Sequence, residues 1–214
     1  SDATEYMEST IVTASGDRRM IAFRNALLRD IKGKVAGYLV CGVDITKQRQ
    51  IEADLDYRAA HDPLTGLYNR RRFTEMLHAE IQRSQRYKTL FSVIMFDIDH
   101  FKIVNDRYGH DVGDEVLREL TALAAGHLRD VDRLGRWGGE EFLALLPETD
   151  LAEARQVAAT LRVLTAETDF TTVGNVTISL GVASITEGET MESLIKRADD
   201  NLYAAKNSGR NRVV

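Results

Sequence analysis

Cysteine, basic excess and long apolar runs are all scarce in this 214-residue chain, and each shortage removes a class of protein. A single cysteine, Cys41, excludes an internal disulfide framework and suits a reducing, cytoplasmic setting, in which it reads as a small buried hydrophobe. No apolar run approaches membrane-spanning length, and no secretory leader stands at the N-terminus. Lys and Arg total 28 against 33 Asp and Glu, a formal net charge of -5, so the basic footprint that sequence-independent nucleic-acid binding needs is missing. No internal repeat or low-complexity tract is visible. What remains is an ordinary globular composition, 43% hydrophobic and 29% charged, enough for a sizeable core.

Residues 8–45 read as strands: "STIVTAS", then "RRMIAFRNALLR" running into the turn "DIKGK", then "VAGYLVCGVDIT". Three strands without a helix make a poor independent core, so residues 1–45 read as the end of a domain whose beginning lies elsewhere. Residues 46–61, "TKQRQIEADLDYRAAH", lack Gly and Pro and predict one continuous helix. Its apolar stripe of Ile51, Leu55 and Ala59 suits self-pairing, but Gln48 and Arg58 interrupt a heptad, so a solvated connector is an equal reading. Pro63 breaks this helix, and Asp62 or Thr65 could cap the next one. From 62 to 214 the pattern alternates: helices at about 70–86, 101–108, 112–127, 150–166 and 190–207, a buried strand at 90–99, a hairpin at 132–147, a strand pair around "VGNVTISLGVASI" and a last short strand "NRVV". Strands separated by helices, with hairpins mixed in, predict an α/β sandwich with a mostly antiparallel sheet.

Two acidic clusters stand out. The strand "SVIMFDIDHFK" is apolar until Asp97 and Asp99, which the period of two puts on one face with Ile98 opposite. In "RLGRWGGEEFLALLPE", Glu140 and Glu141 follow a Gly-Gly pair that predicts a tight turn, placing both acids at a hairpin tip. Taken singly, each acid reads as a solvated strand end or turn residue. Together they would repel unless a cation neutralised them, and hard oxygen donors without a nearby Cys or His pair suit Mg2+ or Mn2+ rather than zinc. Such a metal completes its shell with phosphate oxygens, which points to a nucleoside triphosphate and metal-assisted phosphoryl transfer. In "FKIVNDRYGHDVGDEVL", Lys102 suits a phosphate, and Asn105 and Asp114 offer an amide and a carboxylate to a base edge, the carboxylate favouring guanine. The same stretch also reads as a loop and a helix start, with Asp111 or Asp114 as N-cap. Lys206 and Arg210 flank Gly209 at the end of the last helix, where they suit either phosphate or the helix dipole.

These elements together resemble the GGDEF family of diguanylate cyclases. The signature stands here as Gly138-Gly139-Glu140-Glu141-Phe142, beside "DPLTGLYNRR", "FDIDHFKIVND", "YGHDVGDEVL", "VTISLGVA" and "RADDNLYAAKNSGRNRV", in matching order over roughly residues 57–214. The resemblance implies a palm-like fold shared with nucleotide cyclases and polymerases, and condensation of two GTP into cyclic di-GMP with release of two pyrophosphates. It implies that Asp97, the Ile98 carbonyl, Glu140 and Glu141 hold the metal, and that Glu140 and Lys102 are catalytic, Glu140 by assisting deprotonation of the 3′-hydroxyl. Asn105 and Asp114 would read guanine, Gly139 would leave room for the nucleotide, and Phe101, Lys102, Lys206 and Arg210 would line the phosphate path. One GTP per domain implies a homodimer.

Arg129-Asp130-Val131-Asp132, with five residues between Asp132 and Gly138, resembles the family's product-inhibition motif, in which Arg129 and Asp132 would bind cyclic di-GMP. A second arginine that often completes this site falls here on Thr160, with Arg155 and Arg162 nearby. Upstream, "GKVAGYLVCGVDITKQRQIEADL" resembles the close of a PAS sensor domain feeding a signalling helix; the cofactor-binding half is absent, so no ligand sensing is expected of it. Residues 62–214 would be the cyclase domain, regulated through the helix at 46–61. Two other readings stay open: a non-catalytic receptor for GTP or cyclic di-GMP, and a mononucleotide cyclase or polymerase-like enzyme of the wider palm fold.

Overall fold

The computed structural model describes residues 5–214. The chain divides into two compact units between Arg58 and Ala59. The first holds an antiparallel meander of β1 (Glu5–Val12), β2 (Arg18–Arg29) and β3 (Val35–Asp44), followed by α1 (Thr46–Ala60), which runs across the division. Asp30 closes the second turn by accepting from the backbone N–H groups of Lys32 and Lys34 at 2.8 and 3.0 Å. The Thr46 hydroxyl accepts from Met20 N at 2.8 Å, and Arg49 pairs with Glu8 at 2.6 Å, seating the start of the helix on the sheet. Among the described residues of this unit only Ala22 is buried, while Met7, Tyr38 and Val40 stand exposed on the meander. Cys41 is likewise exposed, contrary to its reading as a buried hydrophobe, because none of the described residues of the unit covers β3.

The second unit is a five-stranded sheet with helices on both faces. It contains β4 (Tyr68–Asn69), α2 (Arg70–Tyr87), β5 (Phe91–Ile98), α3 (Phe101–Tyr108), α4 (His110–Ala125), β6 (Arg133–Gly138), β7 (Glu141–Pro147), α5 (Leu151–Glu167), β8 (Asp169–Phe170), β9 (Gly174–Asn175), β10 (Ile178–Ser184) and α6 (Met191–Asn207). The strand order is β10-β5-β7-β6-β4, antiparallel except where β4 lies parallel to β6; β8 and β9 form a separate ribbon. The last residues run parallel to β10, Val182 N donating to Val214 O at 2.9 Å. The α/β arrangement with a mostly antiparallel sheet expected from the strand and helix pattern is what the chain adopts, with β5 buried along its whole length.

Alternation along β5 splits the core. Ile94, Phe96 and Ile98 face α4 and α5 with Leu117, Leu120 and Leu161, and Phe96 stacks on Phe142 of β7 at 5.2 Å between ring centroids. Val93 and Met95 face α2 and α6 with Phe73, Leu77, Leu194 and Leu202. The α6 backbone lies directly on β10: a Cβ at Gly181 would sit 2.1 Å from the Ala198 carbonyl oxygen, so only glycine permits this approach.

Helix starts differ from the sequence reading. The cap of α2 is Asn69, accepting from Arg72 N at 3.0 Å, while Asp62 closes the preceding turn by accepting from Thr65 N at 2.9 Å. Helix α4 starts at His110 with Gly109 at its N-cap and no side-chain cap, so neither Asp111 nor Asp114 caps it.

Glu189 staples the loop that leads into α6. It accepts from Arg197 at 2.6 and 2.8 Å, from Thr186 N at 3.0 Å and from Ser193 Oγ at 3.0 Å. Burial raises its pKa, but these donors outweigh burial and hold the carboxyl at about 2, against an ordinary 4.5. A depressed folded pKa gives stability that is present above 4.5 and lost as pH falls towards 2. Glu189→Gln is therefore expected to lower unfolding stability at pH 7 by about 2 kcal/mol, as for hydrogen bonds to charged groups. In urea titrations the gap to the wild type closes as the pH is lowered through that window.

Candidate active site at the end of β5 and the Glu140–Glu141 hairpin

The β5–β7 register sets Asp97 directly opposite Glu141, and the β5–β10 register sets it opposite Ser179. All three lie on the face covered by α2 and α6. Gly138 pairs with Glu141 across the hairpin, so the two turn residues are Gly139 and Glu140, not the Gly-Gly pair. Gly139 takes the positive φ of the turn, +52°. Glu140 sits on the turn and Glu141 is the first residue of β7, which separates their roles: one projects from the tip, the other is fixed by the sheet. A cleft of about 600 Å3 opens beside Glu141, between Arg70, Trp137 and the first turns of α6.

Asp97 is only 5% exposed. Burial pushes its carboxyl up to about 6; the Lys206 ammonium, 2.9 Å away, opposes that rise, and the charges of Glu140 and Glu141 reinforce it. Lys206 reaches Asp97 from the last turn of α6, whose course is fixed by the contact at Gly181. Among the described residues no group of three His, Cys, Asp or Glu side chains is already gathered as a metal cage. The donor chemistry nonetheless fits a hard divalent cation: carboxylates whose mutual repulsion raises the Asp97 pKa need positive charge, and Lys206 supplies it here.

Asp99 shares the Asp97 face, bonded to Ser179 there, but it differs from Asp97 in its partners. It is 7% exposed, and its oxygens accept from Ser179 Oγ and Thr177 Oγ1, each at 2.7 Å, and from Asn211 N at 3.0 Å. With those three donors it holds structure rather than charge.

After β5 the chain turns through His100, at φ +60°, into α3. Phe101 is buried in the core and Lys102 is exposed beside it. Asn105 lies against α4 where Gly113 leaves space: a Cβ there would be 2.0 Å from Asn105 Oδ1 and 3.2 Å from the Phe101 ring. Gly113 therefore seats Asn105 next to Asp114, a role that its reading as a loop glycine does not contain. Arg210, at φ +59°, is exposed, and its side chain has no hydrogen-bond or ion-pair partner among the described residues.

Arg136 also escapes the sequence reading. It donates to the Gly139 carbonyl at 2.8 Å and to Asp62 at 3.1 Å, tying the hairpin turn to the 62–66 turn. The signal, an arginine two residues before the Gly-Gly pair, has no meaning until a residue 74 positions away is known to meet it.

At the RxxD stretch, Arg129 and Asp132 are paired with each other at 2.8 Å, and Arg129 also donates to Thr149 Oγ1 at 2.8 Å. The Asp132 side chain is 2% exposed. Thr160 lines a neighbouring cleft of about 300 Å3 with Arg129 and Asp132, whereas Arg162 is bonded to Asn211 at 3.1 Å.

Two outcomes test this geometry. In metal-free protein the Asp97 carboxyl should titrate near pH 6 by 13C NMR, and Mg2+ should move its midpoint down, since a bound cation favours the ionised form. Gly113→Ala should push Asn105 off α4 and lower unfolding stability by about 1–3 kcal/mol through overpacking, read by urea titration.

The family model described as "Diguanylate cyclase, GGDEF domain" matches residues 59–212. Diguanylate cyclase DgcM of Escherichia coli K12 is 43% identical over 171 residues, covering 80% of this chain and 42% of that protein. Response regulator PleD of Caulobacter vibrioides is 46% identical over 162 residues, covering 73% of this chain and 36% of that protein. The chain thus spans less than half the length of these relatives. Among solved structures, the coiled coil and GGDEF domain of DgcB from Caulobacter crescentus, in complex with c-di-GMP, matches with a TM-score of 0.76 at 29% identity, over 79% of this chain and 92% of that one. Diguanylate cyclase SiaD from Pseudomonas aeruginosa, with its activator SiaC, matches with a TM-score of 0.71 at 42% identity, over 78% of this chain and 66% of that one. The chain belongs to the GGDEF-domain family of diguanylate cyclases.

Proposed function

We propose that this chain condenses two GTP molecules into cyclic di-GMP and two pyrophosphates, as a homodimer in which two second units face each other. The observation that carries this reading is the β5–β7 register, which sets Asp97 opposite Glu141 with Glu140 on the adjoining turn. On this reading Asn105 and Asp114 hold the guanine, the carboxylate accepting two base protons that adenine does not present. Lys102, Lys206 and Arg210 meet the triphosphate, with Phe101 buried beneath the path and Gly139 leaving the turn open. Asp97, the Ile98 carbonyl and Glu141 would hold Mg2+ or Mn2+, with Glu140 adjoining. When bound, the cation neutralises charge on the triphosphate and acidifies the attacking hydroxyl. Lys206 then leaves Asp97 for phosphate, exchanging one anionic partner for another.

Glu140 takes the proton of the 3′-hydroxyl. The freed oxygen attacks the α-phosphorus of the GTP held by the partner, and the bond to the bridging oxygen of the β-phosphate breaks in line, releasing pyrophosphate. A second, reciprocal attack closes the ring. Each unit supplies one nucleotide, so neither half can complete the reaction alone.

Regulation rests on the same reading. Residues 1–45 would be the closing strands of a PAS sensor, 46–61 the helix that carries its signal, and 62–214 the cyclase. Product feedback at Arg129 and Asp132 requires their mutual ion pair to open, because Asp132 is enclosed in it. This favours weak rather than tight inhibition, and Thr160 adds no cation.

Incubation with GTP and Mg2+ tests the proposal, with cyclic di-GMP identified by mass spectrometry. Glu140→Gln should lower turnover by about a hundredfold or more, the range for loss of a general base, with GTP binding and thermal stability near wild type. GTP binding without conversion at any protein concentration would favour a receptor.

A further inference from the structure

Asp99 is a buried acid that neither the proposed reaction nor the proposed product site uses. Its oxygens accept from three uncharged donors: Ser179 Oγ, Thr177 Oγ1 and the backbone N–H of Asn211. The third donor belongs to an unusual segment. Gly209, Arg210 and Asn211 succeed one another at φ +114°, +59° and +45°. Glycine and asparagine tolerate that region, but arginine does so only when its surroundings impose it.

The surroundings here are specific. Arg210 N donates to Ala205 O at 3.1 Å on one side, Asn211 N donates to Asp99 on the other, and Arg162 holds the Asn211 side chain at 3.1 Å. Beyond them Leu180 N donates to Arg212 O at 2.9 Å, locking the tail to β10. The one group left unheld in this clamped arc is the Arg210 guanidinium, which projects into solvent without a partner among the described residues. Backbone held in this sparsely populated region clusters at functional sites, and here it presents an exposed cation without a partner among the described residues. Asp99 stands two residues past Asp97 on the same run of chain, so the clamp ties the placement of Arg210 to that of the carboxylate seat.

We infer that Asp99 is a positioning residue that fixes the 209–211 arc and thereby aims Arg210 at the polyphosphate of the bound nucleotide. This rests on the proposed nucleotide site, but on binding alone and not on turnover.

The test is a double-mutant cycle on the affinity of a non-hydrolysable GTP analogue with Mg2+, with GMP as the control ligand that lacks the β- and γ-phosphates. Asp99→Ala should weaken the analogue by about tenfold and GMP by less than about twofold, the size of one lost charged contact. In an Arg210→Ala background, Asp99→Ala should add less than about twofold, because two residues acting through one contact are not additive. Asp99→Asn should restore affinity to within about threefold of wild type, since its carbonyl still accepts from Asn211 N and the Ser179 hydroxyl can rotate to accept from the amide. Should Asp99→Ala fail to fold, Arg162→Ala releases the arc from its other side and should show the same selective, Arg210-dependent loss. Equal losses for the analogue and GMP, or full additivity with Arg210→Ala, would overturn the inference and leave Asp99 a packing residue. Wild-type protein that binds no GTP analogue overturns it together with the nucleotide site, whereas binding without turnover contradicts only the cyclase.

Discussion

Like charges at the end of a buried strand are the constraint on which the second unit is built. Asp97 lies opposite Glu141 by register, beside Glu140, and it is almost removed from water, so its ionised form needs a cation close at hand. Lys206 meets that need at 2.9 Å, yet the carboxyl still stands at about 6. Burial first, and the neighbouring carboxylates after it, keep the group there against the ammonium. On the proposed function, a divalent cation would meet that residual demand for positive charge.

The rest of the unit serves to hold those groups in register. Lys206 reaches Asp97 from an α6 that lies backbone to backbone on β10 at Gly181, starts at the Thr190 cap and is tied to its preceding loop by Glu189 and Arg197. The hairpin turn is fixed from behind by Arg136 and Asp62, whose side chains are 16% and 18% exposed. Asn105 rests on the space left by Gly113. None of these contacts touches a ligand on the proposed reading, but each sets the position of a group that does, and errors of about an ångström in such positions are costly to catalysis.

Much of this is legible in the sequence, and the remainder is hidden for physical reasons. The apolar run ending in Asp97, the helical pattern at about 70–86, and the hairpin around Gly138 and Gly139 are local patterns, and they form β5, α2 and the β6–β7 hairpin. Two-residue β4 exists only because Tyr68 and Asn69 meet β6, so no local pattern announces it. Asp99 resembles a second metal ligand because alternation puts it on the Asp97 face; its real partners lie 78, 80 and 112 residues away. The turn register differs by one residue from the Gly-Gly reading because either Gly138 or Gly139 satisfies a tight turn, and only pairing of Gly138 with Glu141 decides between them. Cys41 reads as buried because small apolar side chains usually are, but burial needs a covering element that β3 lacks among the described residues of its own unit.

Anomalous diffraction from crystals grown with Mn2+ and a non-hydrolysable GTP analogue tests the central claim most directly. The account predicts a manganese peak bridged by Asp97, the Ile98 carbonyl and Glu141, with Lys206 moved from Asp97 onto phosphate. An intact Asp97–Lys206 pair beside a bound analogue, with no peak between Asp97 and Glu141, would contradict it.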